Sequence, residues 1–425
     1  MPNEKETLKG RFALTRRQFI AGVAGAAALA AAPTLPAWAD EDKRPSVADK
    51  IFNRPYITWQ NDPCTTATIT WQSAEAPKQV LVRFDTETRG GKVRKYAKEA
   101  EGRSWTIPCL PGRSINSVEL TGLTPGTRYY FVLAEKKSGE TTEHSFKTIP
   151  NDGSPLRFVA GGDQNWGPVA RKLCELAGRE APMFTVIGGD LAYANGDPKN
   201  IRAWDNWFKN WMDGQVTPDG LIVPMVLAIG NHETNKLEGG PEVRAPFYTG
   251  FFPQGGKTYF SLRFGPLLHL IALDSGHIVP HAEQTAWFKE VVAKNADAKY
   301  HIPTYHVPFF PSHREFEGGL SVAGREQWMP IVDEMRAPIA FEHHDHTFKR
   351  SYPIRNGEKA DDGTVYLGDG CMGVGPREIL DPLPWYLEKA SSTAHIWVVD
   401  MADGRIACRA IDKDGKEFDS ITLNR

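Results

Sequence analysis

Cysteine, net charge and internal repetition are all scarce in this chain of 425 residues. Its five cysteines are too few for a disulfide scaffold, and no C-x-x-C pair indicates a zinc ribbon or a redox motif. The 50 basic residues nearly balance the 52 acidic ones, so no overall positive field would attract nucleic acid or an acidic membrane. With 41% hydrophobic and 24% charged residues, the composition is that of a soluble globular protein, and the length predicts two or three domains.

Before residue 40 the sequence has the composition of an export signal. Residues 15–20 read Thr-Arg-Arg-Gln-Phe-Ile, no charged residue occurs between Arg17 and Asp40, and Ala39 ends an A-x-A cleavage pattern. The uncharged stretch is long enough for a membrane anchor. It is mostly Ala and Gly and contains two prolines, which favours a signal peptide over 1–39. The paired arginines resemble a twin-arginine signal, so we predict a periplasmic or extracellular mature protein without a membrane span.

Residues 50–150 are expected to form an all-β domain. Short alternating runs predict strands at Thr66–Trp71, Gln79–Phe84 and Tyr129–Ala134. A Pro-Gly turn stands just before Tyr129, which resembles the fibronectin type III sandwich, where such a tyrosine caps the corner between two sheets. Cys64 and Cys109 both lie in this domain, and either a disulfide or two free thiols would suit an exported protein.

A polar linker over 148–155 precedes a change to β-α-β periodicity, which predicts an α/β domain over 155–425. Strands are predicted at Leu156–Ala160, Met183–Ile187, Val226–Ile229 and Leu267–Leu273, with a helix at Val169–Arg179 between the first two. A polar motif follows each of these strands. Open α/β sheets place their functional sites in such strand-end loops.

Histidine is concentrated in this second domain, because only His144 of the twelve precedes residue 231. Five motifs follow in order: Gly-Asp-Gln-Asn, Gly-Asp-Leu-Ala-Tyr, Gly-Asn-His-Glu, Tyr-His-Val-Pro and His-Asp-His. Their carboxylates, imidazoles, amide oxygen and phenolate suit hard or borderline metals. One octahedral ion cannot take seven donors and keep a position open, whereas two ions sharing one carboxylate can. The seven predicted ligands are Asp163, Asp190, Tyr193, Asn231, His306, His344 and His346.

The His-Asp-His motif is expected to lie on a strand. Alternate residues of a strand point the same way, so His344 and His346 would each serve one ion while Asp345 faces away.

At these motifs the sequence resembles the calcineurin-like metallophosphoesterases, and specifically the purple acid phosphatases. The resemblance implies a four-layer α/β/β/α sandwich, preceded by the fibronectin-like module as a known companion. It implies two metal ions, ferric iron together with iron, zinc or manganese. The first ion would be bound by Asp163, Tyr193 and His346 and the second by Asn231, His306 and His344, with Asp190 bridging them.

Two positions depart from the family pattern. Asn165 stands where the broad superfamily has a histidine and the purple group has glycine, which leaves Tyr193 as the further donor to the first ion. His343 stands where glycine normally precedes the last His-x-His. A side chain at that position would either crowd the turn or contact the substrate.

The implied activity is hydrolysis of small phosphate monoesters, in which hydroxide generated by the metals attacks phosphorus. His232 is not a ligand, and we expect it to protonate the leaving group or stabilise the transition state. His313 matches the substrate-loop histidine of the family. The remaining histidines of this domain are expected to be structural: His269, His277, His281, His301 and His395.

Two other functions stay open. A phosphodiesterase or nucleotide hydrolase could use the same metal site, although the cysteine-bearing first motif of the exported alkaline phosphodiesterases is missing, because Cys174 lies within the predicted helix. A surface-binding protein without enzymatic activity would not need a complete ligand set. The sequence leaves the substrate, the second metal and the oligomeric state open.

Overall fold

The computed structural model describes residues 47–134 and 139–425. The predicted signal peptide over 1–39 therefore lies outside the described residues. Within the described ranges, no helix is both long enough and apolar enough to cross a membrane.

A β-sandwich follows the short helix α1, Val47–Ile51. Its strands are β1 Pro55–Thr58, β2 Ala67–Ser73, β3 Leu81–Asp85, β4 Lys98–Glu101, β5 Arg103–Thr106, β6 Ser114–Leu120, β7 Arg128–Leu133 and β8 His144–Lys147. They form two antiparallel sheets of order β1-β2-β6-β5 and β4-β3-β7-β8. β-branched and aromatic residues favour these strands, and Ile69, Trp71, Val118 and Phe131 are buried together between the sheets. The predicted strands are present, with ends shifted by one or two residues.

Tyr129 caps the corner of this sandwich. Its hydroxyl accepts a hydrogen bond from the Thr124 backbone N–H at 2.9 Å, and its ring stacks on Phe146. This is the arrangement expected of a fibronectin-like tyrosine. Cys64 and Cys109 are free thiols, and burial raises the pKa of Cys64 to about 12.

Fifteen strands follow the linker among the residues that the structure describes. They are β9 Leu156–Gly161, β10 Phe184–Ile187, β11 Met225–Leu227, β12 Phe260–Phe264, β13 Leu268–Ala272, β14 Tyr300–Thr304, β15 Ile339–Glu342, β16 Phe348–Ser351, β17 Ile354–Arg355, β18 Glu358–Lys359, β19 Val365–Gly368, β20 Leu387–Ser391, β21 His395–Ala402, β22 Arg405–Asp412 and β23 Glu417–Asn424. The helices are α2 Pro168–Arg179, α3 Ile201–Gly214, α4 Pro241–Arg244, α5 Pro246–Phe251, α6 His281–Lys294, α7 Gly319–Gln327 and α8 Met329–Glu334.

Most of these strands build two mixed sheets packed face to face. One sheet has the order β11-β10-β9-β21-β22-β23 and the other β12-β13-β14-β15-β19-β16-β20. Phe158, Phe184, Phe341 and Trp397 are fully buried between them. Helices α2 and α3 cover the outer face of the first sheet, and α6 and α8 cover that of the second. The predicted four-layer α/β/β/α architecture, preceded by an all-β sandwich, is confirmed.

Polar contacts and aromatic packing join the β-sandwich to the four-layer part. The Arg113 guanidinium donates to Asp205 on α3 at 2.5 Å, and both side chains are buried. Tyr56 donates its hydroxyl hydrogen to the Phe251 carbonyl at 2.6 Å. Because removing one partner of a buried ion pair leaves an uncompensated charge, Arg113 and Asp205 hold the two parts in one orientation.

Candidate metal centre

The seven predicted ligands follow strands of both sheets. In the first sheet β9, β10 and β11 are parallel neighbours, and the residues that follow them include Asp163, Asp190 and Asn231. In the second sheet β14 and β15 are parallel, and His306 follows β14 while His344 and His346 follow β15. Since parallel strands end at the same edge of a sheet, the ligand-bearing loops meet where the two packed sheets end.

Left-handed backbone conformations direct most of these side chains toward one another. Five of the seven residues have positive φ angles, namely Asp163 (50°), Asp190 (54°), Tyr193 (58°), His344 (79°) and His346 (58°). Such angles are uncommon outside glycine and cluster at functional sites, where the surrounding structure holds them. The predicted strand through His-Asp-His is wrong, because these residues form a loop between β15 and β16. Positive φ angles at His344 and His346, and not the alternation of a strand, direct both imidazoles toward the cluster.

Three predicted ligands of the first ion form a compact triangle. The Tyr193 hydroxyl lies 3.0 Å from both Asp163 Oδ1 and His346 Nε2, and those two atoms are also 3.0 Å apart. Asp163 is fully buried. Burial and the charges of Asp163 and Asp190 raise the pKa of Tyr193 well above its ordinary value.

The three predicted ligands of the second ion lie around His306 Nε2. This atom lies 3.2 Å from Asn231 Oδ1 and 3.0 Å from His344 Nδ1. His306 Nδ1 faces the Gly188 carbonyl at 2.9 Å, so this carbonyl orients the ring with Nε2 toward the cluster.

Asp190 stands between the two groups. Asp190 belongs to two sets of potential metal ligands, one with His306 and His344 and the other with Asp163 and His346. Within each set, the ligand atoms all lie within 4.8 Å of one another. Asp190 Oδ1 accepts from the His232 backbone N–H at 2.8 Å, whereas Oδ2 is buried, accepts no hydrogen bond among the described residues, and lies 3.3 Å from His306 Nε2. A buried carboxylate oxygen without a hydrogen bond is costly unless a cation lies beside it.

The charges of the carboxylates in the cluster also favour a cation beside them. Burial disfavours the protonated imidazole of His306, but the carboxylates of Asp190 and Asp163 outweigh it and raise the pKa of His306 to about 10. Burial would likewise raise the pKa of Asp190, yet His306 and His232 lower it well below its usual range. Positive charge is therefore favoured between these groups. Together with the Asp190 oxygen that accepts no hydrogen bond, this donor set fits two metal ions that share one carboxylate.

His232 borders the cluster and reaches solvent. Its Nε2 lies 3.8 Å from Asp190 Oδ2, its ring packs on Tyr193, and its side chain is 32% exposed. Its Nδ1 lies 2.5 Å from Asn195 Oδ1, and the Asn195 backbone N–H donates to the His232 carbonyl at 2.9 Å. Because an amide oxygen only accepts, the proton belongs on Nδ1 and Nε2 faces the centre. Asn195 was not among the predicted site residues, although it stands two positions after Tyr193.

His313 lies outside the donor cluster. It lines a cavity of about 510 Å³ together with His344, and its Nδ1 lies 2.7 Å from the Glu378 carbonyl oxygen. The cavity size is that of a small-ligand site.

Two buried carboxylates that the sequence analysis did not assign hold the loops in place. Glu233 accepts from the backbone N–H groups of Gly230, Asp190 and Leu191, and burial with the nearby Asp190 charge raises its pKa to about 8. Asp345 faces away from the cluster, as predicted, and accepts from the backbone of Ser312 and His313. The only signal in the sequence was that each stands beside a predicted site residue.

The two departures from the family pattern have structural explanations. His343 is buried against Gly162 and Gly188, and a methyl group at Gly188 would lie 1.8 Å from its ring. His343 therefore fills the turn and does not face the cavity. Asn165 has a φ of 58° and accepts from the Trp166 backbone N–H, so it caps its own loop.

The other histidines are mostly buried in the sheets and helices. His269 and His301 pair across β13 and β14, His281 packs on Trp328, and His395 packs on Phe348. The ring of His277 lies 5.5 Å from that of His306.

Comparison with known families agrees with this arrangement. Residues 52–148 match the family described as Purple acid Phosphatase, N-terminal domain, and residues 144–348 match the Calcineurin-like phosphoesterase family. The chain is a purple acid phosphatase-like member of the calcineurin-like phosphoesterases. This family implies a dinuclear metal centre.

Known relatives of this purple acid phosphatase-like chain are distant. Purple acid phosphatase 18 of Arabidopsis thaliana is 23% identical over 342 residues, which cover 77% of this chain and 74% of the relative. An uncharacterised protein of Mycobacterium tuberculosis is 25% identical over 346 residues, covering 71% of this chain and 62% of that protein. The structure of purple acid phosphatase PPD1 from yellow lupin (Lupinus luteus) has a TM-score of 0.73 at 18% identity, covering 87% of this chain and 74% of that one. The lupin enzyme and this chain therefore share a fold although fewer than one in five aligned residues are identical.

Proposed function

We propose that the protein hydrolyses small phosphate monoesters on two metal ions, as an enzyme of the acid phosphatase type. The observation that carries this proposal is Asp190, which belongs to both donor sets and has one buried oxygen that accepts no hydrogen bond among the described residues. A binding protein would have no need of such a shared carboxylate.

The proposed ligands are those that the sequence predicted. Asp163, Tyr193 and His346 would hold ferric iron, and Asn231, His306 and His344 would hold iron, zinc or manganese, with Asp190 shared. When bound, the two ions would lower the pKa of a water molecule and offset the charge of the phosphoryl oxygens. The 3.0 Å triangle around Asp163 and the cluster around His306 support this division.

His232 would supply the proton that the leaving oxygen needs from Nε2 of its imidazolium form and would be left as the neutral ring with its proton on Nδ1. Its Nε2 faces the centre while Asn195 holds the Nδ1 proton, so the ring is oriented before the substrate binds. His313 would contact the substrate from the cavity side, because it lines the cavity. The Glu378 carbonyl oxygen fixes the orientation of its ring.

Hydrolysis of p-nitrophenyl phosphate and of its bis-ester tests this proposal against the alternatives. We expect a higher kcat/KM for the monoester, because a monoester presents more charge to two cations. A clear preference for the bis-ester would instead indicate the phosphodiesterase or nucleotide hydrolase. Failure of the metal-loaded protein to hydrolyse either compound would favour a non-enzymatic binding protein.

We also propose that residues 1–39 are a twin-arginine signal, that 50–150 and 155–425 are separate domains, and that the mature protein is periplasmic or extracellular. The charge-free stretch between Arg17 and Asp40 supports export.

Tyr193 decides the proposed identity of the first metal. A phenolate bound to ferric iron absorbs visible light, so the purified protein is expected to be violet to pink. Replacing Tyr193 with Phe should bleach this colour, and Tyr130→Phe in the β-sandwich should not. Activity should fall less than with loss of Asp190, because three donors to the first ion remain. An oxidised wild-type protein that contains its full iron and hydrolyses phosphate esters without colour would disprove the tyrosinate ligand.

A further inference from the structure

Two arginines beside the candidate metal centre converge on one backbone oxygen. Arg314 Nη1 donates to the His344 carbonyl oxygen at 2.6 Å, and Arg377 Nη1 donates to the same oxygen at 3.4 Å. Both side chains are partly exposed. Two guanidinium groups held this close repel each other unless anions lie beside them.

The chain itself supplies one carboxylate to this pair. Arg314 Nη1 also donates to Asp345 Oδ1 at 2.6 Å, and Asp345 is fully buried. Arg377 forms no ion pair with any of the described residues, so the pair keeps an excess positive charge. Since Arg314 uses only Nη1 for these contacts, its Nη2 and Nε hydrogens are available to another acceptor.

The cavity connects Arg314 to the candidate metal centre, and Arg377 approaches it through the His344 carbonyl oxygen that both arginines contact. His344, a proposed ligand of the second ion, lines the cavity, and so do Arg314, His313 and the exposed Leu320. A substrate with its transferred phosphate at the centre would therefore extend its leaving group past Arg314. Leu320 would pack against the carbon atoms of that group.

We propose that Arg314 and Arg377 bind a second phosphate on the leaving group. The preferred substrates are then phosphoanhydrides or bisphosphate esters, and monoesters with an uncharged leaving group are poorer. Guanidinium groups suit this role because they donate several charge-assisted hydrogen bonds to one phosphate. The inference rests on the proposed hydrolase function, which puts the transferred phosphate at the metal centre.

The kinetic test compares ADP and fructose 1,6-bisphosphate with phenyl phosphate in the metal-loaded enzyme. Arg314→Gln and Arg377→Gln should each lower kcat/KM for a substrate with a second phosphate about tenfold more than for phenyl phosphate, mainly through KM. A selective loss for ADP alone would assign the second phosphate to an anhydride, and a selective loss for the sugar alone would assign it to an ester. Arg377→Gln is the cleaner variant, because no carboxylate loses its partner.

A binding measurement tests the same site without turnover. Calorimetry on the metal-loaded protein should show that Arg377→Gln weakens methylenediphosphonate about tenfold more than methylphosphonate. Arg171→Gln, which removes an exposed arginine paired with Glu175 on α2, should leave this ratio unchanged. Glu315→Gln should strengthen methylenediphosphonate binding, because Glu315 is an exposed carboxylate that lines the cavity.

The two proposals fail in different ways. If wild-type protein hydrolyses phenyl phosphate and neither arginine variant changes the substrate ratio or the binding ratio, the second-phosphate site is refuted. If wild-type protein hydrolyses none of the substrates, the proposed function fails, and the calorimetric ratio still decides whether the arginine pair binds a second phosphate.

Discussion

Replacing Asp190 with Asn is expected to remove metal from both positions and to lower hydrolysis more than about a thousandfold, because the several kcal/mol that two cations contribute are lost together. Asn keeps the Oδ1 acceptor for the His232 backbone N–H, so the loop should keep its conformation. The change removes the negative charge shared by the two donor sets. Metal content by elemental analysis and turnover of p-nitrophenyl phosphate would be measured on the same preparation.

Asp197→Asn provides the matched control for this variant. Asp197 makes the same kind of side-chain contact, accepting from the Lys199 backbone N–H, but it lies in a turn outside the donor sets. It should retain metal and activity. An Asp190→Asn protein that kept two equivalents of metal and ordinary turnover would refute the shared carboxylate.

Replacing His232 with Ala is expected to lower kcat by about 10²–10⁴ while metal content stays intact, which is the usual contribution of general acid–base catalysis. Nε2 of the imidazole faces the centre, the ring packs on Tyr193, and the other nitrogen is held by Asn195. His144→Ala, in the β-sandwich, removes an imidazole remote from the donor cluster and should leave kcat unchanged.

The leaving group separates the possible roles of His232. Aryl esters with acidic phenols need little protonation, so the loss in His232→Ala should shrink as the leaving group improves. An equal loss across a series of leaving groups would show that His232 binds phosphate and does not donate the proton.

Several parts of this protein could be predicted because they depend on local sequence. A buried strand followed by a polar motif recurs along the chain, and parallel strands end at one edge of a sheet. The individual strands of the second domain followed from this pattern, the four-layer fold was implied by the family resemblance, and the seven donors were expected to meet. Their role as metal ligands stays a prediction.

Other features depend on residues far apart in sequence. Glu233 holds the Asp190 loop across more than forty residues, and Asp345 holds the loop of Ser312 and His313 across more than thirty. Neither contact leaves a periodic signal. The His344–His346 segment was predicted as a strand because alternation places both rings on one face, yet positive φ angles achieve the same result in a loop.

The sequence by itself determined the donor chemistry, the order of the motifs and the strands that carry them, because these follow from residue type and hydrophobic periodicity. Only the tertiary structure decided the distances at which the donors and their neighbours lie. Tyr193 reaches His346 from 153 positions away, and Arg314 and Arg377 meet at the His344 carbonyl. These distances are set by the packing of one β-sheet on the other, and the physical reason is that side chains buried between the sheets fix where each strand ends.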